Sequence, residues 1–210
     1  MNAPAETIDQ YRSGFERLLR FKPKRLAGER CDLCSAPVAN KHQHLLETAT
    51  GKILCSCAAC SLLLGNHYES KYKPVPRSAK RLSGFALPDE QWDSFAIPIG
   101  LAFFFRRSGA ERVVAFYPSP AGATESLLDL RAWNDLESAN TVLSEMQPDV
   151  EALLVNRIGE AREYYIAPVD KCYELVGLIR ANWRGLSGGK EVWAKIHAFF
   201  RELTNESVPV

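Results

Sequence analysis

Most of the side chains that could bind a soft metal ion lie within residues 31–60. These residues read CDLCSAPVANKHQHLLETATGKILCSCAAC and hold five of the six cysteines and two of the four histidines. Cys31 and Cys34 form one Cys-x-x-Cys pair, and Cys57 and Cys60 form a second. Each pair supplies two thiolates from one turn, and zinc takes four ligands at the corners of a tetrahedron. The spacing predicts a zinc-ribbon-like site with these four cysteines as ligands.

The identity of the ion and the full ligand set stay open at this point. Iron is the alternative to zinc, because four thiolates also suit a rubredoxin-like centre or an iron–sulfur cluster. Cys55 lies two residues before Cys57 and could replace it or stay free. His42 and His44 would share one face of a strand. They could bind a second, more labile ion, or they could only pack and hydrogen-bond.

A catalytic role for the metal is not expected. A site with four thiolates is usually closed, whereas a catalytic zinc keeps one position for water or substrate. The chain has no His-Glu-x-x-His motif, no deaminase motif and no Gly-x-x-x-x-Gly-Lys-Ser/Thr loop. The LSGGK string at 186–190 is therefore interpreted as a glycine loop between two helices. We expect no catalytic residue, and a protein that is not an enzyme.

The composition is that of a globular protein, with 46% hydrophobic and 24% charged residues among 210. No apolar run reaches the roughly 18 residues of a membrane helix. The N-terminus lacks the charged start and apolar core of a signal peptide. We expect a cytoplasmic protein without membrane insertion, and in that compartment clustered cysteines bind metals more often than they form disulfides.

Charge is divided unevenly along the chain. Residues 1–85 contain 14 Lys and Arg against 7 Asp and Glu, and residues 86–210 contain 12 against 18. The division indicates two units and raises the question of an acidic partner for the first. A nucleic acid is one such partner, but it is less favoured than an arm that is solvated or that lies on the acidic second unit of the same chain. Nucleic-acid binding would use the basic arm and two tyrosines that could stack on bases: Lys71, Lys73, Arg77, Lys80, Arg81, Tyr68 and Tyr72.

Hydrophobic periodicity predicts an α+β fold, with a mainly antiparallel sheet packed against C-terminal helices. We expect three parts: an N-terminal helix within 1–27, the zinc-ribbon-like unit and basic arm at 28–84, and an α+β domain at 85–210. The expected elements are helices at 7–20, 88–95, 133–146, 168–183 and 190–203, and strands at 44–47, 52–55, 97–106, 112–117, 127–130, 150–156 and 163–167. The segment at 66–84 is expected to be a linker or an extended arm, and 118–122 a loop.

Several longer strings resemble a bacterial family of unknown function. They are CDLC at 31–34, HQHL at 42–45, LCSCAAC at 54–60, IPIGLAFFF at 97–105, FYPSPAGATES at 116–126, EALLVNR at 151–157 and WRGLSGG at 183–189. Genes of this family tend to lie beside those of oxygen-tolerant, high-affinity [NiFe] hydrogenases. The resemblance covers the chain from about residue 28, and the family supplies no catalytic residue. It implies an accessory or maturation factor whose partner is a hydrogenase subunit or another maturation protein.

Overall fold

The computed structural model describes residues 28–65, 70–110, 112–126 and 130–210. The helix expected at 7–20 lies outside them. The strands are β1 (Gln43–Glu47), β2 (Lys52–Ser56), β3 (Tyr72–Pro74), β4 (Lys80–Arg81), β5 (Leu101–Arg107), β6 (Arg112–Ser119), β7 (Gly122–Ser126), β8 (Glu151–Asn156), β9 (Glu163–Pro168) and β10 (Val208–Pro209). The helices are α1 (Ala58–Gly65), α2 (Asp89–Ser94), α3 (Leu130–Ala139), α4 (Val169–Asn182) and α5 (Gly189–Glu206), with 3-10 turns at Ser108–Ala110 and Thr141–Glu145.

A small three-stranded sheet of order β2-β1-β3 carries the cysteine-rich segment. The hairpin of β1 and β2 turns at Gly51, whose φ of 70° favours glycine. Leu45 pairs with Leu54 on one face of the hairpin, and His44 pairs with Cys55 on the other face, which also carries the pair of Leu46 and Ile53. This alternation fixes which side chains of the hairpin can meet.

A seven-stranded sheet of order β10-β4-β9-β8-β5-β6-β7 forms the second unit, and its strands pair antiparallel except β10 with β4. Its central strands are buried on both faces, which explains their nearly continuous apolar sequence. Phe103 and Phe105 point into the core beneath α4 and α5. Phe104 points to the opposite core, which contains residues of α2 and α3. The predicted α+β class with antiparallel sheets is confirmed.

Three predicted elements of the second unit differ from the structure in detail or lie partly outside the described residues. The predicted loop at 118–122 is a tight turn, because β6 continues to Ser119 and Gly122, with φ 125°, starts β7. Positions 127–129 of the strand expected at 127–130 lie outside the described residues, and Leu130 begins α3. The helix expected at 133–146 is interrupted at Asn140, whose side-chain amide bonds both Leu136 O and the backbone of Ala86.

The segment after α1 is extended and belongs to both sheets. Its β3 pairs with β1, and its β4 pairs with β9. A small apolar cluster of Leu46, Val75, Val150 and Val169 packs where the two sheets meet. The division into a ribbon-like unit and an α+β domain stays a prediction, with this segment as their covalent and hydrogen-bonded connection. Among the described residues, no helix is both long and apolar enough to cross a membrane.

The buried carboxylate of Asp149 connects the two sheets. It accepts hydrogen bonds from Lys73 Nζ at 2.6 Å, Ser108 N at 2.9 Å and Ser108 Oγ at 2.5 Å. Burial opposes the charged form, but Lys73 and Ser108 outweigh it and lower the pKa of Asp149. Because the folded pKa is lowered, this carboxylate stabilises the fold above its unfolded pKa of about 4, and the contribution is lost as the pH falls through the folded pKa.

We predict that Asp149→Asn lowers the free energy of unfolding at pH 7 by about 1.5–3 kcal/mol, the usual contribution of a hydrogen bond to a charged group. The loss relative to wild type should shrink as the pH falls below about 4. Asparagine tolerates the positive φ of 72° at this position, so the backbone is preserved. Urea unfolding at several pH values checks this. Asp135→Asn, an exposed change on α3, should cost less than about 0.5 kcal/mol, and equal losses in both variants would contradict the role of Asp149.

Candidate metal centre

The first cysteine pair lies in a tight turn before the hairpin. Cys31 N donates to Ala36 O at 2.8 Å, and Ser35 N donates to Cys31 O at 2.8 Å. Ser35 has a φ of 61°, so the chain reverses directly after Cys34. These bonds turn both cysteine side chains toward the same place, as a zinc knuckle requires.

The second pair lies where β2 passes into α1. Cys57 precedes the helix, and its Sγ accepts a hydrogen bond from the backbone N–H of Cys60 at 3.4 Å. Its carbonyl accepts the first helical bond from Ser61 N at 2.9 Å. Cys57 therefore occupies the N-cap position, with sulfur in the role that a hydroxyl or carboxylate oxygen usually takes.

The fold brings the four predicted ligands together. The Sγ atoms of Cys31, Cys34, Cys57 and Cys60 all lie within 4.8 Å of one another, and Cys34 Sγ lies 3.7 Å from Cys57 Sγ. Zinc–sulfur bonds of about 2.3 Å place tetrahedral sulfurs about 3.8 Å apart. The cluster thus has the size of a four-thiolate site, and Cys57, not Cys55, belongs to it.

The pKa values of two of the four thiols, Cys31 and Cys60, are shifted in opposite directions. Burial of Cys31 acts to raise its pKa, but hydrogen bonds from the backbone of Cys57, Cys34 and Leu33 outweigh it and lower the pKa to about 6. The hydrogen bond with Cys34, followed by that with Cys57, raises the pKa of Cys60 to about 12. The thiol of Cys31 thus loses its proton more readily than that of Cys60, and a metal ion bound to both would displace the proton of Cys60.

The remaining soft ligands form a separate cluster. One nitrogen each of His42 and His44 and the Sγ of Cys55 lie within 4.8 Å of one another. The hydrogen bond to Asp170 raises the pKa of His44, and burial raises that of Cys55. Asp170 was not a sequence-based candidate, because it lies 126 positions after His44 and belongs to α4. No short-range pattern could have identified it.

The basic arm finds acidic partners within the chain. Lys71 Nζ lies 2.7 Å from Glu47 Oε1, Lys73 Nζ lies 2.6 Å from Asp149 Oδ2, and Lys80 Nζ lies 3.7 Å from Glu151 Oε1. These contacts favour the intramolecular interpretation of the charge division over nucleic-acid binding. Tyr72 lies in β3, whereas Tyr68 is outside the described residues.

Two other features of the sequence have structural explanations. Gly188 has a φ of 82°, and a Cβ there would lie 2.8 Å from Val192 Cγ1, so the glycine loop before α5 has a steric reason. Cys172 is completely buried in the main core, and burial raises the pKa of its thiol. Neither residue lies in a metal-binding cluster among the described residues.

We predict that Cys34→Ser removes one metal ion per chain. Cys34 is exposed, so the change should act through the lost ligand and not through packing. Because metal-binding energy is folding energy in such sites, amide hydrogen exchange should accelerate across 28–65 and much less in the seven-stranded sheet. Elemental mass spectrometry and exchange mass spectrometry measure the two effects. Ser61→Ala on α1 is the matched control, and Cys34→Ser protein with unchanged metal content would contradict the assignment.

Comparison with known proteins places most of the chain in one family. Residues 30–207 match the family described as "Family of unknown function (DUF5947)". No curated protein matches the chain, and no solved structure matches it. The matched span includes the four-cysteine cluster, the cluster of His42, His44 and Cys55, and every strand of both sheets except β10. The chain therefore belongs to this family of unknown function.

Proposed function

We propose that Cys31, Cys34, Cys57 and Cys60 bind one Zn²⁺ ion with a structural role. The observation that carries this is the mutual approach of the four sulfurs to within 4.8 Å. Four thiolates complete a tetrahedron, so no position remains for water or substrate. The ion would join the knuckle at 31–34 to the start of α1.

In this proposal the protein is a non-enzymatic accessory protein that acts through protein–protein contacts in the cytoplasm, where thiols are kept reduced. A closed ion supports that role because it stabilises a surface and leaves no coordination position for chemistry. The surface beside it is apolar: Leu62 and Leu63 of α1 are 69% and 67% exposed. The resemblance of the strings quoted above supports a [NiFe] hydrogenase subunit or maturation factor as the partner.

The same four thiolates would also suit iron, which would change the function to electron or metal transfer. We predict one tightly bound zinc ion in this cluster and no visible absorbance, in protein purified without added metal or chelator. Elemental mass spectrometry with a visible spectrum distinguishes the two ions, because iron bound by thiolates is coloured. Iron in stoichiometric amount, lost in Cys34→Ser, would replace the structural proposal with the electron-transfer one.

The partner proposal has its own test. The chain would be co-expressed with the hydrogenase subunits and maturation factors of its own genome, with an affinity tag on one subunit at a time. We predict co-purification that weakens at least tenfold in Leu62→Ser/Leu63→Ser, because burying one leucine contributes about 1.5–3 kcal/mol. Leu186→Ser is the control, since Leu186 is fully exposed in the glycine loop. Failure of every subunit and factor to bind would contradict the association.

A further inference from the structure

A second group of soft ligands lies on one face of the hairpin. His44 and Cys55 are directly opposite each other in the register of β1 and β2. His42 precedes His44 by two residues and therefore shares its face. One nitrogen of each ring and the Sγ of Cys55 all lie within 4.8 Å of one another. Atoms that bind one ion at about 2.0 Å for nitrogen and 2.3 Å for sulfur lie about 3.5 Å apart, so rotamer adjustments of about 1 Å would close the group around an ion.

His42 has a buried nitrogen that lacks a partner within the part of the chain that the structure describes. Its Nδ1 lies 2.8 Å from Ala39 O, and a carbonyl only accepts, so Nδ1 carries the proton. Its Nε2 then has a free lone pair, which is buried and makes no hydrogen bond. The side chain is only 7% exposed. A buried polar atom without a partner is costly, and such atoms in folded proteins commonly have a functional reason.

His44 is held in the manner of a metal ligand. Its Nδ1 lies 2.6 Å from Asp170 Oδ2, so the neutral form of this ring also presents its other nitrogen as a lone-pair donor. Metal-binding histidines commonly donate their second ring N–H to a carboxylate, which fixes the orientation of the ring and raises its basicity. His42 Nδ1 has a carboxylate nearby as well, with Glu29 Oε2 at 3.5 Å.

Cys55 is fixed by the first knuckle. Its backbone N donates to Asp32 Oδ2 at 2.7 Å, and Asp32 N donates to Cys55 O at 2.8 Å. These two bonds set the end of β2 against the turn that contains Cys31 and Cys34. The edge-to-face contact of the two imidazole rings, with centroids 4.7 Å apart, explains their packing but leaves the Nε2 lone pair of His42 without a partner.

We propose that His42, His44 and Cys55 bind a second divalent transition-metal ion through two imidazole nitrogens and one thiolate. This ligand set suits Zn²⁺ and its neighbours Co²⁺, Ni²⁺ and Cu²⁺, and it does not suit Mg²⁺ or Ca²⁺. Binding releases the thiol proton of Cys55 to solvent and leaves both rings neutral. No fourth protein ligand joins the group among the described residues, so one coordination position is available to water or a small ligand.

The second site differs from the four-cysteine site in access and in position. A cleft of about 480 Å³ opens beside it and is lined by His42 and His44 of the hairpin and by Asp170 and Lys171 of α4. An exchangeable ion is therefore expected here, whereas an ion bound by the four thiolates would have no open coordination position. Through Asp170, the second ion would also tie the hairpin to the first turn of α4.

Cobalt titration of the full-length, metal-free protein under anaerobic conditions tests the second site. Wild type should bind two Co²⁺ ions per chain, both with thiolate-to-cobalt absorption. Cys55→Ser and His42→Gln should each bind one ion, and so should Cys34→Ser, which loses the other site. His197→Gln, an exposed change on α5, is the matched control and should bind two. Loss of one ion in Cys55→Ser and His42→Gln reports on the second site, whereas loss of one ion in Cys34→Ser reports on the proposed structural zinc site.

Asp170→Asn supplies a variant that keeps all three ligands. It should weaken the affinity of the second Co²⁺ about 10–100-fold and leave the first unchanged. A purely structural contact between Asp170 and His44 would not affect cobalt affinity. One Co²⁺ per wild-type chain, or two in both Cys55→Ser and His42→Gln with unchanged affinity, would overturn the proposal.

Discussion

The approach of four sulfur atoms is the main constraint on the cysteine-rich unit, because the apolar core of that unit is small. Among residues 28–65 the buried apolar side chains are Cys31, Leu45, Leu46 and Leu54. Helix α1 has eight residues and no buried side chain, and a helix that short is marginal in water without packing. A unit of this size usually needs a metal or disulfides to supplement its core. A metal bound by both cysteine pairs would fix α1 to the knuckle directly.

The contact between the small sheet and the large one is polar as well as apolar. Lys73 reaches Asp149, and His44 reaches Asp170 at the start of α4. The apolar part consists of Leu46 and Val75 against Val150 and Val169. Because both ion pairs include partly buried groups, a structural change in the small sheet would also affect the second unit. An ion at His42, His44 and Cys55 would therefore influence how the cysteine-rich unit is placed against α4.

Patterns over a few neighbouring residues predicted those elements that depend on interactions between neighbouring residues. The two Cys-x-x-Cys pairs, the hairpin around Gly51 and the helices α4 and α5 follow from spacing and periodicity over a few residues. Pairings across long separations could not be predicted in this way. The sequence gives no sign that β4 pairs with β9, that β10 lies parallel to β4, or that Asp170 orients His44. Whether Cys55 or Cys57 completes the four-sulfur group also needed the fold, since the two residues are separated by only Ser56.

Anomalous X-ray diffraction from crystals of the purified protein, recorded on both sides of the zinc absorption edge, would locate bound ions directly. We predict an anomalous peak at the centre of the tetrahedron formed by the Sγ atoms of Cys31, Cys34, Cys57 and Cys60. Four sulfur distances of about 2.3 Å should accompany it. Disulfide bonds between these cysteines, with no anomalous peak among them, would contradict the central claim that a metal ion holds this unit together.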